Sequence, residues 1–274
     1  MDLNPSRSDL VETMQFFIID AFTKTPFKGN PAAVCILEQR MDDDWMQAVA
    51  AEMGVSETAF VVQGDNDFHL RWFTPQVEVD LCGHATLATS HALWSSGLCN
   101  ESEEIRFQTK SGTLTAKQDE GVIFLDFPAK VATESEMPEG LAAAMGIMPV
   151  FCGKNQFDIL MQVGSQADVE NVKVDFERLG QIPVRGVILT AASDNDQYDF
   201  VSRFFAPAVG INEDPVTGSA HVCLAPFWSD KLGKSEMVGY QASPRGGVVT
   251  TRLQDDRVHL GGTAVVIVKG ELIL

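Results

Sequence analysis

Apolar positions in this chain fall into short runs punctuated by turn residues, which is the pattern of strands, with a few longer runs that fit helices. Residues 15–22, QFFIIDAF, have the size and composition of a buried strand. Gly29, Asn30 and Pro31 mark a sharp turn, and AAVCIL follows as a second strand. Asp42 to Asp44 open a helix through WMQAVAAEM, placing negative charge on its positive end, and Gly54 stands at the expected C-cap. VSETAFVV and FHLRWFTP read as strands, so Glu57 lies at a helix-to-strand corner. The loop QVEVDLC then leads into a helix from about Gly83 to Ser96. From Ile105 the chain is strand-rich, with IRFQTKSGTLTAKQ and GVIFLDFP forming a hairpin around Asp119–Gly121. The polar, Pro/Gly-bearing stretch 129–142 is the expected domain crossing. Beyond it come the strands DILMQVG, GVILTAAS and DFVSRFFAP, a short helix at DFERLGQ, and a helix from Gly218. More strands close the chain.

One pattern occurs twice. Residues 71–94 and 203–228 each run Arg, an aromatic pair, Pro, an acidic turn, Gly, Ala, an apolar helix and Trp. The two helices, ATLATSHALW and SAHVCLAPFW, lack a charged face, so each is expected to be buried on all sides. A curved, mostly antiparallel sheet wrapped around one central helix, once per domain, gives an α+β protein of two similar domains. The domains are 14–129 and 130–265, with a last strand at 266–274.

Composition narrows the function. The net charge of −18 repels phosphate backbones and anionic membranes, so neither nucleic acid nor membrane is an expected partner. No run approaches the roughly 18 apolar residues of a membrane span. Five scattered cysteines, never spaced as CxxC, suit a reducing cytoplasm better than a disulfide framework or zinc site. No GxGxxG or P-loop sequence is present, and no histidine pair has metal-ligand spacing with a carboxylate, so no cofactor or metal is expected.

An anionic substrate then needs a locally positive pocket, and helix N-termini supply one. Cys82-Gly83-His84 and Thr217-Gly218-Ser219 are two such starts, able to grip a carboxylate if they face one cleft. Asp80 reads as an N-cap, while Asp214 reads equally as a cap or a site residue. His84 at a helix start is expected to be neutral, and the same position is expected to lower the Cys82 thiol pKa. His69, His91 and His221 read as packing or surface residues.

GNPAAVCIL, GVSETAFV, CGHATLA and EDPVTGSAH, in this order, resemble the phenazine-biosynthesis PhzF-like family. The resemblance implies a diaminopimelate epimerase-like fold with the site in the interdomain cleft. It allows the last strand to return to the first domain, and it implies a homodimer. It also implies a cofactor-free isomerase in which Glu57 moves a proton within a small carboxylic acid. His84 and Asp214 would assist, and Gly83, Gly218 and Ser219 would hold the substrate. The related epimerases use two cysteines; here the matching places hold Cys82 and Thr217, and threonine is no comparable base. Two rivals remain: an epimerase pairing Cys82 with Glu57, and a small-carboxylate binding protein without turnover.

Overall fold

The computed structural model describes residues 13–273. The first half comprises β1 (Thr13–Ala21), β2 (Asn30–Leu37), α1 (Asp43–Met53), β3 (Glu57–Gln63), β4 (Phe68–Phe73), β5 (Glu78–Val79), α2 (Gly83–Ser95), β6 (Ile105–Thr109), β7 (Gly112–Asp119) and β8 (Val122–Pro128). The second begins with β9 (Thr133–Glu134), α3 (Leu141–Met145), β10 (Phe151–Lys154), β11 (Asp158–Gln162), α4 (Gln166–Asn171), α5 (Phe176–Leu179) and β12 (Gly186–Ala192). It continues with β13 (Phe200–Ala206), β14 (Ile211–Asp214), α6 (Gly218–Leu232), β15 (Glu236–Gln241), β16 (Gly247–Gln254), β17 (Arg257–Gly262) and β18 (Ala264–Ile273).

Local signals explain the boundaries. Asp42 caps α1 by accepting the Trp45 N–H at 2.8 Å, and Gly54 ends it at φ +62°. β2 reads as an unbroken apolar run because both its faces are covered. Ala32 and Val34 join the main core around α2, while Cys35 and Leu37 pack with Met46 and Ala50 of α1. The hairpin at Asp119–Gly121 is present, closed by Glu120 and Gly121 at φ +49° and +80°. The segment before it is not one arm but two, β6 and β7, so this region is a three-stranded meander.

The duplication extends through the whole sheet. β2–β3 and β11–β12 pair in parallel, β3–β4 and β12–β13 antiparallel, and β4–β6 and β13–β15 in parallel again. Each half is thus a barrel-like sheet wrapped around one helix. In α2, ten residues from His84 to Trp94 are buried. Its hydroxyls stay satisfied by donating to the carbonyl four residues back: Thr86 to Cys82 at 2.6 Å, Thr89 to Ala85 at 2.7 Å and Ser90 to Thr86 at 2.9 Å. α6 is buried over its first half and again at Trp228.

Two antiparallel pairings join the halves, β17 on β8 and β18 on β1. Among the described residues, no helix is long and apolar enough to cross a membrane.

Candidate active site

α2 and α6 meet start to start. A methyl group on Gly83 would lie 3.7 Å from the Gly218 Cα, so the glycines bring the two backbones into contact. The N-caps, Cys82 and Thr217, are extended, and neither side chain caps its helix. The first-turn N–H groups of both helices, which have no intrahelical partner, therefore begin at this junction. Asp80 is exposed and not at the cap position; its carbonyl accepts the Ser111 hydroxyl at 2.8 Å. The helix begins two residues later than an Asp80 cap requires.

Around this junction the fold collects residues far apart in sequence. Glu57 opens β3, Asn30 opens β2, His84 is the second residue of α2, and Asp214 ends β14 of the other half. Glu57 Oε2 and His84 Nε2 lie 3.1 Å apart, with side chains 13% and 7% exposed. They form an ion pair without hydrogen-bond alignment, and among the described residues neither atom has another partner. Asn30 Nδ2 donates to Asp214 Oδ1 at 2.8 Å and to the Val216 carbonyl at 2.9 Å. Asp214 Oδ2 accepts the Thr217 hydroxyl at 2.6 Å. Gln241 accepts the Thr217 N–H at 2.9 Å and donates to the Asp214 carbonyl at 2.7 Å, fixing the approach to α6.

The electrostatics differ from the sequence expectation at two residues. Burial works against charge on His84, but the Cys82 sulfur and the Glu57 carboxylate outweigh it, and its pKa stands well above the usual imidazole value. Cys82 is itself pushed up, first by burial and then by Glu57, so at neutral pH it is a thiol. The carboxylate is therefore the charge that His84 meets. The Glu57 contact, made only in the folded chain, favours charge on His84, and burial keeps Cys82 from being activated, both against the helix-start expectation. Burial lifts Asp214 to about 6, against the lowering effects of His84, Thr217 and Asn30.

The five residues Glu57, Gly83, His84, Asp214 and Gly218 thus converge. The Ser219 hydroxyl turns instead to the second barrel, accepting from Arg185 Nη2 at 3.0 Å; Arg185 also pairs with the buried Asp158. His221 is fully buried against Phe200, and burial lowers its pKa to about 4. Asn30 escaped the sequence reading because GNP reads as a turn; its contact across to Asp214 carries no local signal.

Donor atoms of Glu57, Cys82 and His84 lie within 4.8 Å of one another, a grouping that sequence spacing did not reveal. Within it, His84 Nδ1 lies 3.5 Å from Cys82 Sγ and His84 Nε2 lies 3.1 Å from Glu57 Oε2.

The model of the phenazine biosynthesis-like protein family matches residues 19–270. The chain belongs to this family. It is 49% identical to an uncharacterized isomerase of Halalkalibacterium halodurans over 96% of this chain and 99% of the relative. A crystal structure of a PhzF-family phenazine biosynthesis protein from Enterococcus faecalis superposes with a TM-score of 0.92 at 40% identity, covering 96% of this chain and 100% of that one. A predicted epimerase from Pseudomonas aeruginosa shares the fold at 20% identity, with a TM-score of 0.73 over 95% and 99% of the two chains. The family's fold is the diaminopimelate epimerase-like one.

Proposed function

We propose that this protein is an isomerase that moves a proton within a small carboxylic acid. The observation that carries the reading is the Glu57–His84 pair set beside two uncapped helix starts in contact. The N–H groups at Gly83 and Gly218 would hold the substrate carboxylate and the enolate-like charge that forms next to it. Glu57 Oε2, which has no hydrogen-bond partner, would take a proton from the activated carbon and return it elsewhere on the same molecule. His84 steadies the Glu57 anion. Asp214, near 6, is placed to orient the substrate or lend a proton. These side chains supply the transfer by themselves, so the reading calls for no cofactor. Family membership and the isomerase relative support it.

The epimerase alternative loses ground here, because it needs a reactive Cys82 and burial raises that thiol. A screen of small carboxylic acids in heavy water, read by NMR, tests the proposal. At least one acid should exchange a carbon-bound proton with the wild type, and Cys82→Ser should retain that exchange. Collapse of exchange in Cys82→Ser would favour the epimerase. Binding without exchange across the whole set would favour a binding protein.

A further inference from the structure

In the site described above His84 Nε2 faces Glu57 at 3.1 Å, which leaves open where the ring's other proton sits. Asn30 and Cys82 decide it. Asn30 is fully buried, and its Nδ2 faces three atoms: Asp214 Oδ1 at 2.8 Å, the Val216 carbonyl oxygen at 2.9 Å and His84 Nδ1 at 3.3 Å. The amide orientation is forced. Reversed, its oxygen would meet a carboxylate oxygen and a carbonyl oxygen, neither of which offers a hydrogen while Asp214 is ionised. The Ser56 hydroxyl, 3.4 Å from Asn30 Oδ1, agrees with this orientation. An amide nitrogen carries two hydrogens. The two shorter contacts consume both, so Asn30 has none to give His84. The remaining neighbour of Nδ1 is Cys82 Sγ at 3.5 Å, a weak acceptor.

We propose that Asn30 and Cys82 fix the proton positions of His84. Nδ1 keeps its hydrogen, donated to Cys82 Sγ, and Nε2 is the nitrogen that gains and loses a proton opposite Glu57. The step balances between Glu57 and the substrate: the C–H bond breaks as an O–H bond forms on Glu57 Oε2, and return of the proton to carbon restores the carboxylate opposite Nε2. The groups facing the ring are Glu57 from β3, Asn30 from β2, Asp214 from β14 and Cys82 before α2. Asn30 and Cys82 are positioning residues: they act through His84. The use of the proton rests on the isomerase reading; its location does not.

Ring ¹⁵N spectra of the full chain through a pH titration test this, with His84 assigned by its loss in His84→Gln. Nδ1 should keep the signature of a protonated nitrogen at every pH, and Nε2 alone should move. Cys82→Ser, which retains an acceptor, should reproduce the wild-type pattern. Cys82→Ala, which removes it, should shift part of the neutral ring to the Nε2–H form, seen as movement of Nδ1. Loss of the Nδ1 proton in the wild type, a ring that never deprotonates, or a Cys82→Ala ring identical to wild type would overturn the proposal. Failure of the isomerase reading shows separately, as heavy-water exchange that persists in Glu57→Gln, and leaves the ring spectra unaffected.

Discussion

Asp214 carries an elevated carboxyl pKa near 6 because the fold withdraws it from most of its water. Its folded value exceeds its unfolded one, so this group favours folding below about pH 4 and loses that contribution as pH rises through about 6. Asp214 keeps some solvent contact, which reduces the effect to about 1 kcal/mol. Urea unfolding should therefore show wild-type stability falling between about pH 4 and 6 more steeply than that of Asp214→Asn. His84 has the same sign at higher pH. Its contribution is complete below about 6.5 and disappears as pH rises through its raised folded value, a decline that His84→Gln should lack. Equal slopes in variant and wild type would contradict these assignments. Glu57, His84 and Asp214 were visible in the sequence through family motifs. The charge on the ring was not, because it comes from a contact between residues 57 and 84 that only folding creates.

At the scale of elements, the repeated Arg–aromatic–acidic pattern is a clamp. Arg71 grips Glu78 through Nε and Nη2 at 2.7 and 2.8 Å, and Arg203 grips Glu213 at the same two distances. Each guanidinium also lies over the phenylalanine two residues on, at 5.1 Å for Phe73 and 5.0 Å for Phe205. The clamps tie β4 to β5 and β13 to β14, aiming each chain at its helix start. The copies are unequal: Glu78 has a second cation in Lys110, whereas the Arg203–Glu213 pair is 13% exposed on both sides and has no such reserve among the described residues. Arg203→Ala should therefore destabilise by about 3 kcal/mol, and Arg71→Ala by at least about 1 kcal/mol less, in the same urea measurement. Gly83→Ala is a test of a different kind. Its methyl would make ordinary contacts at 3.7 and 3.8 Å, so the melting temperature should stay close to wild type while ligand-induced thermal stabilisation is lost. The repeat and its buried helices were legible from composition and spacing. The parallel pairings were not, since hydrophobic alternation does not report strand direction.

At the scale of the molecule, the two barrels are held as one sheet, and a partly buried charge latch reinforces the seam. Arg245, from the loop after β15, reaches Asp20 of β1 at 2.7 Å and the carbonyls of Gly29 and Lys28 at 2.8 and 3.0 Å. Asp20 is buried and also accepts the Phe27 N–H at 2.7 Å. This latch holds the turn that presents Asn30 to the site. Arg245→Met should cost about 3 kcal/mol by leaving Asp20 without its cation, and a change below about 0.5 kcal/mol would show that the latch holds nothing. The joined barrels bring a carboxylate from one half and an aspartate from the other to the same pair of helix starts. The central claim is that Glu57 moves the proton. Heavy-water exchange into the acid identified by screening, compared between wild type and Glu57→Gln, measures it directly. The account predicts a loss of about 100-fold or more in the variant with binding retained; wild-type exchange in Glu57→Gln would contradict it.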